Sequence, residues 1–224
     1  LSSAASDVYK RQDYKNQFSQ KDKAEVTTLP KCYTDQEKEY IKRRLKEEAG
    51  KCLIQYGIRR TTVDDIVKRV QIPKGTFYLF YQSKELLLYD VILEEHDRIE
   101  EELVQAVSQM QDNEFDTEQL IQVIYDFFKK SSVSPVLKIL NSNEIELLAR
   151  KLPAGVLEKH IEHDNDLIED VLTKLTLNAD MDKNVLGAAF RAIYFITLHR
   201  DSIGEDYFEK SLYLLIRGLV LQLK

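Results

Sequence analysis

Apolar residues recur along most of this chain at the three- and four-residue spacing of amphipathic helices, and strand-like alternation of useful length is absent. The first periodic segment begins at Thr34-Asp35-Gln36-Glu37, where a threonine and a glutamate three residues later form a capping-box pattern. Gly57 is predicted to end this helix. Its apolar stripe comprises Ile41, Leu45, Ala49, Cys52, Leu53 and Tyr56. The pattern predicts an all-α chain.

A second capping box, Thr62-Val63-Asp64-Asp65, opens a shorter helix whose apolar positions fall at i, i+3, i+4 and i+7. Gln71-Ile72-Pro73 interrupts the pattern, and Pro73 is suited to the first turn of a new helix because its missing N–H has no partner there. The new helix begins with Lys74-Gly75-Thr76. Two short helices joined in this way predict a helix-turn-helix, and a cationic helix end suits phosphates and base edges.

Ser83 is predicted to cap a long helix that runs to about residue 107 and carries an acidic patch in its middle. The patch comprises Glu94, Glu95, Asp97, Glu100, Glu101 and Glu102. Beyond it, the spacing predicts helices over residues 117–131, 135–150 with a break near Ser142, 155–176, 182–200 and 205–222.

The last two predicted helices, over about residues 182–222, carry little polar surface and therefore need cover on two sides. One side is expected to face the protein's own core and the other a second subunit. Gly187, Ala188, Ala189 and Gly218 would allow close helix crossings. A fully interior helix of a monomer is the alternative.

The order of residues in the first part of the chain resembles the DNA-binding domain of the TetR family of bacterial transcription regulators. The resemblance covers about residues 34 to 88. It rests on Tyr56-Gly57, Thr61-Thr62-Val63-Asp64-Asp65-Ile66, Pro73-Lys74-Gly75-Thr76-Phe77-Tyr78, Ser83-Lys84-Glu85 and Leu87. It implies a tail over residues 1–32, a helix-turn-helix domain over 33–82 and a ligand-binding and dimerisation domain over 83–224. It also implies that the long helix links the DNA-reading head to the body.

The resemblance assigns DNA contacts position by position. It places the Thr62 hydroxyl near a phosphate and Lys84 as a phosphate clamp, and it puts Lys74, Gly75, Thr76 and Tyr78 on the recognition helix. Two further positions, Leu79 and Phe80, depart from the polar residue and the tyrosine that the family often has there. Leu79 is suited to contact with a thymine methyl group and cannot donate a hydrogen bond.

Composition and charge are consistent with this interpretation. The 224 residues are 43% hydrophobic, enough for a core, and the net charge is −6. Lys31 to Lys84 carry 13 basic and 7 acidic residues, whereas the chain from Glu85 onward carries 14 basic and 27 acidic ones. A basic head on an acidic body directs only one end of the protein towards a polyanion.

The sequence shows no membrane span or signal peptide, and its two cysteines, Cys32 and Cys52, agree with a reducing compartment, so a cytoplasmic location is expected. The first 12 residues lack an initiator methionine and resemble a translated sequencing-adapter read-through. Residues 1–32 are therefore expected to be a disordered or artefactual tail.

Aromatic residues in the later helices are candidates to line a cavity for an apolar or amphipathic small-molecule effector, although most core aromatics line nothing. The proposed lining residues are Tyr125, Phe128, Tyr194 and His199, with Phe127 and Phe195 beside them.

A metal site is the alternative, because His160, His163 and Asp164 have i, i+3, i+4 spacing on one helix. Acidic neighbours surround them, and a solvated acidic face accounts for the pattern, so neither a metal nor a cofactor is expected.

The sequence contains no Gly-rich phosphate loop, nucleophile elbow or His-Glu-x-x-His motif, and catalysis is not expected. The expected function is a dimeric regulator, a repressor that a small molecule releases from a near-palindromic double-stranded DNA operator. A helical interaction module that has kept the fold and lost DNA binding is one alternative, and a helical enzyme is another.

Overall fold

The computed structural model describes residues 33–110, 116–139, 142–174 and 182–223, without the side chains of residues 142, 143 and 145. The predicted tail over residues 1–32 lies outside these ranges. The described residues form ten α-helices and a 3-10 turn at Leu137–Ile139, with no strand among them. In chain order the helices are α1 Asp35–Arg60, α2 Val63–Val70, α3 Lys74–Phe77, α4 Lys84–Ser108, α5 Thr117–Val133, α6 Ser142–Ala149, α7 Val156–Lys174, α8 Lys183–Leu198, α9 Arg200–Ile203 and α10 Glu205–Val220. The prediction of an all-α fold is confirmed.

Helix α1 begins as predicted, but Gly57 bends it instead of ending it. Thr34 accepts a hydrogen bond from the Glu37 N–H, and the Glu37 carboxylate accepts one from the Thr34 N–H. Gly57 has φ 73° and ψ 177°, and the chain resumes a helical turn to Arg60. The Ile58 N–H that the bend frees donates to Glu144 Oε2 of α6 at 2.9 Å. A side chain from another part of the sequence therefore provides the hydrogen-bond acceptor for the backbone N–H at the bend.

One predicted boundary in the second half is found and another differs. The prediction for residues 135–150 includes a break near Ser142, and the structure has a 3-10 turn at Leu137–Ile139 and then α6, which starts at Ser142. The helix predicted over residues 182–200 ends at Leu198, and the short helix α9 follows. Gly204, at φ 100°, then precedes α10.

The first of two hydrophobic cores joins the helix-turn-helix to the body. It buries Leu45 and Leu53 of α1, Ile66 of α2, Phe77 of α3 and Leu87 of α4 completely. Leu137, Leu148 and Val156, which follow α5, extend the same core. The core therefore continues past residue 83, where the sequence predicts a domain boundary.

The second core lies at the far end of α4 and joins it to α5, α8 and α10. Val107 of α4 packs there with Ile121 and Phe128 of α5, and Phe208 and Ile216 of α10 close it from the other side. Since α4 contributes to both cores, its position is fixed at both ends by burial of apolar surface.

The close helix crossing expected at Gly187 lies within the chain. A Cβ atom at this glycine of α8 would come within 2.0 Å of Asn165 Oδ1 on α7, and Asn165 is itself buried. Gly187 thus allows α7 and α8 to approach each other and leaves no room there for a second subunit. Gly218 of α10 has no neighbour within 4 Å of such an atom.

In the part of the chain that the structure describes, no helix has the length and apolar content to cross a bilayer.

Gly57→Ala is expected to lower the free energy of unfolding by about 1–3 kcal/mol, because a residue with a Cβ atom is strained in this backbone region. Urea unfolding followed by circular dichroism measures the change. Gly50→Ala is the matched control in the same helix: its new methyl group meets Val91 Cγ1 at an ordinary 3.5 Å, so stability should stay the same or rise by up to about 1 kcal/mol. Equal stability of both variants would show that the bend needs no glycine.

Candidate functional site

The helix-turn-helix is built from local caps at each junction. The Thr62 hydroxyl accepts a hydrogen bond from the Asp65 N–H and starts α2. Gln71 ends α2 in the left-handed conformation at φ 64°, and the Ile72 N–H donates to Val67 O at 3.1 Å. Pro73 then precedes the first residue of α3. Each helix boundary in this motif therefore depends on a residue that the sequence pattern singles out.

The residues assigned to DNA contact divide into exposed and packed groups. Thr62, Lys74, Gly75 and Tyr78 are exposed, with 52% of Tyr78 accessible. In contrast, Thr76 is 7% accessible, and Leu79 and Phe80 are half-buried. The exposed set forms the edge of α3 and the capped start of α2, which is the part of this motif that can meet a DNA groove.

Lys74 makes an ion pair across the motif. Its Nζ atom lies 2.9 Å from Asp64 Oδ2, and both side chains are at least half exposed. An exposed pair of this kind contributes little to stability, because solvent screens the attraction. A phosphate can therefore replace Asp64 as the partner of Lys74 at small cost.

Lys84 occupies a different position from an open phosphate clamp. Its Nζ atom donates to Ile58 O and Thr61 O, each at 2.7 Å. These carbonyls lie at the end of α1, where helical carbonyls lack intrahelical partners. Lys84 therefore stabilises the junction between α1 and α4, and its removal would affect folding as well as any contact to DNA.

Tyr81 and Lys46 fasten the motif to α4 through one carboxylate. The Tyr81 hydroxyl donates to Asp90 Oδ2 at 2.7 Å, and burial raises the pKa of this tyrosine. Lys46 Nζ lies 3.0 Å from Asp90 Oδ1 and 3.1 Å from Glu94 Oε2. One carboxylate of α4 therefore contacts both α1 and the loop that joins α3 to α4.

A cavity of about 410 Å³ lies in the body of the protein, between α4, α5, α7 and α8. Its wall is mainly apolar, and its volume is within the range of small-molecule sites. The apolar lining includes Ile92, Leu93, Leu103, Leu120, Ile124, Phe127, Phe128, Ile168, Phe190 and Tyr194.

Two of the four residues proposed to line a cavity do so. Phe128 and Tyr194 belong to the wall. Tyr125 does not, because it lies on the side of α5 that faces α10, where its ring packs edge-to-face against Tyr213. His199 follows the last turn of α8 and is exposed. Of the two neighbouring candidates, Phe127 and Phe195 both contribute to the lining.

The cavity has one polar end, formed by side chains of α4 and α7. His96 and Glu100 come from α4, and His160 and Asp164 come from α7. The two imidazole rings lie 4.9 Å apart in an edge-to-face arrangement, and His160 Nδ1 is 3.5 Å from Asp164 Oδ1. The polar end therefore joins the helix that leads to the DNA-binding head with a helix of the body.

Burial changes the ionisation of this polar end. It depresses the pKa of His160 to about 3 and raises the pKa of Asp164 to about 6. For Glu100, burial acts to raise the pKa, but the facing imidazoles of His96 and His163 lower it below the ordinary value. At neutral pH the cluster thus holds a neutral His160 and an ionised Glu100.

The sequence interpretation missed His96 and misplaced Glu100. Glu100 was assigned to an exposed acidic patch, yet it is 2% accessible. His160 and Asp164 were attributed to a solvated face, yet their side chains are only 23% and 19% accessible. The available signal was the i, i+4 spacing of His96 and Glu100, which matches that of His160 and Asp164.

Comparison with known proteins gives a match over the helix-turn-helix. Residues 47–91 match the family model described as bacterial regulatory proteins, tetR family. A curated relative, the uncharacterized HTH-type transcriptional regulator YuxN of Bacillus subtilis (strain 168), is 27% identical over 121 residues. That alignment covers 52% of this chain and 42% of YuxN, so it spans less than half of the relative's length.

Solved structures extend the fold similarity to most of the chain. The fatty acid degradation regulator FadR of Bacillus halodurans has a TM-score of 0.54 at 19% identity, over 80% of this chain and 94% of FadR. FadR of Bacillus subtilis, in complex with stearoyl-CoA, has a TM-score of 0.56 at 16% identity, over 80% of this chain and 96% of that FadR. SmeT, the repressor of the Stenotrophomonas maltophilia multidrug efflux pump SmeDEF, has a TM-score of 0.56 at 19% identity, over 80% of this chain and 88% of SmeT.

At these identities the structural similarity establishes the fold, and the family model identifies the DNA-binding motif. The matching family model describes regulatory proteins, which agrees with the expectation that the chain is not an enzyme. Residues 47–91 therefore match the DNA-binding motif of the tetR family of bacterial regulatory proteins, in a chain whose fold is similar to that of solved TetR-family regulators.

Proposed function

We propose that this protein is a cytoplasmic, dimeric repressor that leaves a near-palindromic operator when a small molecule enters its cavity. The observation that carries the proposal is that one helix, α4, both fastens the DNA-binding motif and lines the cavity. A change at the cavity therefore has a direct structural route to the motif.

The DNA-contacting surface in this proposal is the exposed edge of α3 with the capped start of α2. Lys74 and Tyr78 supply a cation and a hydroxyl there, and the Thr62 hydroxyl lies at the N-terminus of α2, where phosphates bind well. Gly75, without a side chain, permits close approach of the backbone. We assign Lys84 an indirect role, because its ammonium group already binds two carbonyls of α1.

The proposed dimer forms through α8 and α10, which expose apolar side chains along one face each. On α8 the stripe follows Val185, Ala188, Ala192 and Phe195, at i, i+3, i+7 and i+10. On α10, Tyr207, Leu214 and Leu221 recur every seven residues, and both Tyr207 and Leu214 are 69% accessible. A two-fold pair of such surfaces gives a four-helix interface. It also spaces two recognition helices for successive major grooves, about 34–36 Å apart.

The proposed effector has a large apolar part and one polar or charged group. Most of the wall of the cavity is apolar, and its acidic, histidine and arginine side chains among the described residues are grouped at the end formed by α4, α7 and Arg191 of α8. FadR of Bacillus subtilis binds stearoyl-CoA and a SmeT structure contains triclosan. Those ligands belong to other proteins, but they support an amphipathic effector here.

Release from DNA requires that the effector bind one arrangement of the dimer more tightly than the other, because equal affinity shifts no equilibrium. We propose that the effector favours a tilt of α4 in which the two heads no longer fit successive grooves. Asp90 would transmit this tilt, since it holds both Tyr81 and Lys46.

Selection from a random duplex library at about 0.15 M salt, where nonspecific binding is weak, tests the proposal. Enrichment of a palindrome supports a dimeric, sequence-specific regulator. The alternative, an interaction module without DNA binding, predicts no enrichment even after the protein is unfolded and refolded to remove a co-purified ligand. The half-buried Leu79 and Phe80 are the feature that favours this alternative.

Lys74→Ala is expected to weaken binding to the selected operator by about tenfold and to reduce the salt dependence of binding by about one unit per subunit, through loss of a phosphate contact. Fluorescence anisotropy at several salt concentrations measures both quantities. Lys159→Ala is the control, because Lys159 is an exposed lysine of α7, outside both the motif and the proposed dimer surface. Wild-type affinity and slope in Lys74→Ala would contradict the assigned surface.

The double variant Phe195→Glu with Leu214→Glu is expected to be monomeric at micromolar concentration, because the dimer would bury four unpaired carboxylates. Analytical ultracentrifugation gives the mass, and circular dichroism checks the helical content. Val133→Glu is the control: Val133 is 48% accessible but lies at the end of α5, outside the proposed interface. A double variant that sediments as the wild type would exclude α8 and α10 as the dimer surface.

A further inference from the structure

We propose that the polar end of the cavity is a metal site, in which His96 of α4 and His160 and Asp164 of α7 bind one divalent transition-metal ion of the Zn²⁺, Co²⁺ or Ni²⁺ class. The site joins two helices that are distant in sequence, and it uses two imidazole nitrogens and one carboxylate oxygen. This donor set is typical of metal sites that keep a position open for water or a ligand.

The donor atoms already lie at nearly the separations that such an ion requires. One donor atom each from His96, His160 and Asp164 can be chosen so that all three lie within 4.8 Å of one another. His160 Nδ1 and Asp164 Oδ1 are 3.5 Å apart. Bonds of about 2.1 Å in tetrahedral geometry place donor atoms about 3.4 Å apart. Small side-chain movements are therefore enough to close the site.

The donors also lack the hydrogen bonds that would account for their burial. Among the described residues, neither His96 Nδ1 nor Asp164 Oδ1 has a hydrogen-bond partner, and both atoms are inaccessible to solvent. Buried polar atoms are normally paired. An ion bound between them would satisfy both at once.

The surrounding charges favour a cation at this position. Glu100, whose side chain is 3% accessible, lies 3.7 Å from His96 Nδ1 and 3.4 Å from His163 Nε2. Asp97 precedes it on the same helix. Arg191 of α8 is the nearby cation, but its Nη1 atom donates to Asn165 Oδ1 at 2.8 Å. The carboxylates of Asp164 and Glu100 thus face a site that a divalent ion would neutralise.

Glu100 and His163 form an outer pair beside the proposed ligands. Glu100 lies one helical turn beyond His96 on α4, and its Oε2 atom is 3.7 Å from His96 Nδ1 and 3.4 Å from His163 Nε2. Because His96 Nδ1 is the proposed metal ligand, Glu100 supplies negative charge next to the ion and does not hold the second ring nitrogen of His96. We therefore assign Glu100 and His163 to the outer shell of the site and His96, His160 and Asp164 to binding.

The consequence is a cross-link between α4 and α7 at the cavity, with an open coordination position towards the apolar space. Metal binding itself does not depend on the function proposed above. Only the further consequence, that an ion at this position fixes the tilt of α4 and so influences DNA binding, rests on that proposal.

The test is Co²⁺ titration of the full chain without a polyhistidine tag, after treatment with a chelator. The visible absorption of Co²⁺ reports nitrogen and oxygen ligands. We expect one Co²⁺ per chain, displaced by Zn²⁺. His160→Gln and Asp164→Asn should each weaken binding by more than about 100-fold, because even loss of an outer hydrogen-bond partner costs about 10–100-fold.

His199→Gln is the matched control, since His199 is exposed at the end of α8 and is the one histidine of the chain's four that lies away from the cluster. It should bind Co²⁺ as the wild type does. Absence of a visible band at one equivalent, wild-type affinity in His160→Gln, or lost affinity in His199→Gln would each overturn the proposal.

Circular dichroism shows whether the His160→Gln and Asp164→Asn variants fold. If they do not fold, a measurement on the wild-type protein tests the metal site instead. X-ray absorption of the Zn²⁺-loaded protein should give two imidazole ligands with the remainder nitrogen or oxygen. Fewer than two imidazoles would overturn the assignment of His96 and His160.

Discussion

Burial of α4 in two separate hydrophobic cores is the constraint on which the rest of this structure depends. Leu87 near its start packs with α1 and α3, and Val107 near its end packs with α5 and α10. With 25 residues, the helix is about 37 Å long and spans both parts of the chain. Because its two ends pack on different partners, one helix connects the DNA-binding motif to the part of the body that holds the cavity.

The sequence predicted the helix-turn-helix well because each of its boundaries depends on a local interaction. Thr34 and Thr62 accept hydrogen bonds from N–H groups three residues ahead, and Pro73 precedes α3 without an N–H to satisfy. Such signals need no knowledge of distant neighbours. Gly57 shows the limit of this reasoning: a glycine after an apolar stripe usually ends a helix, and here Glu144, 87 positions away, satisfies the bent backbone and lets the turn continue.

The cavity was harder to predict because its lining depends on which side of each helix faces inward. Tyr125 and Phe128 are three residues apart on α5, yet one contacts α10 and the other the cavity. The positions of charged residues in the sequence were equally misleading about which side chains are buried. Glu100 belongs to a run of acidic residues that looks solvated, and only the approach of α7 makes it a buried carboxylate beside His163. Lys84 was assigned to a phosphate by its position in the motif, whereas its nearest acceptors are two carbonyls at the end of α1.

The spacing along α4 explains how a small change at the polar end reaches DNA. Asp90, which binds Tyr81 and Lys46, and Glu100, which closes the polar end, are ten residues apart and therefore about 15 Å apart along the axis. Ten residues correspond to about 2.8 helical turns, so the two carboxylates project about 80° apart around the axis, and they move together because both belong to one helix. Any rotation of α4 that improves contacts to His96 and Glu100 therefore moves Asp90 in the same sense. Asp90 contacts Lys46 of α1 and Tyr81 in the loop before α4, so under the proposed mechanism the orientation of the reading head would change with the occupancy of the cavity.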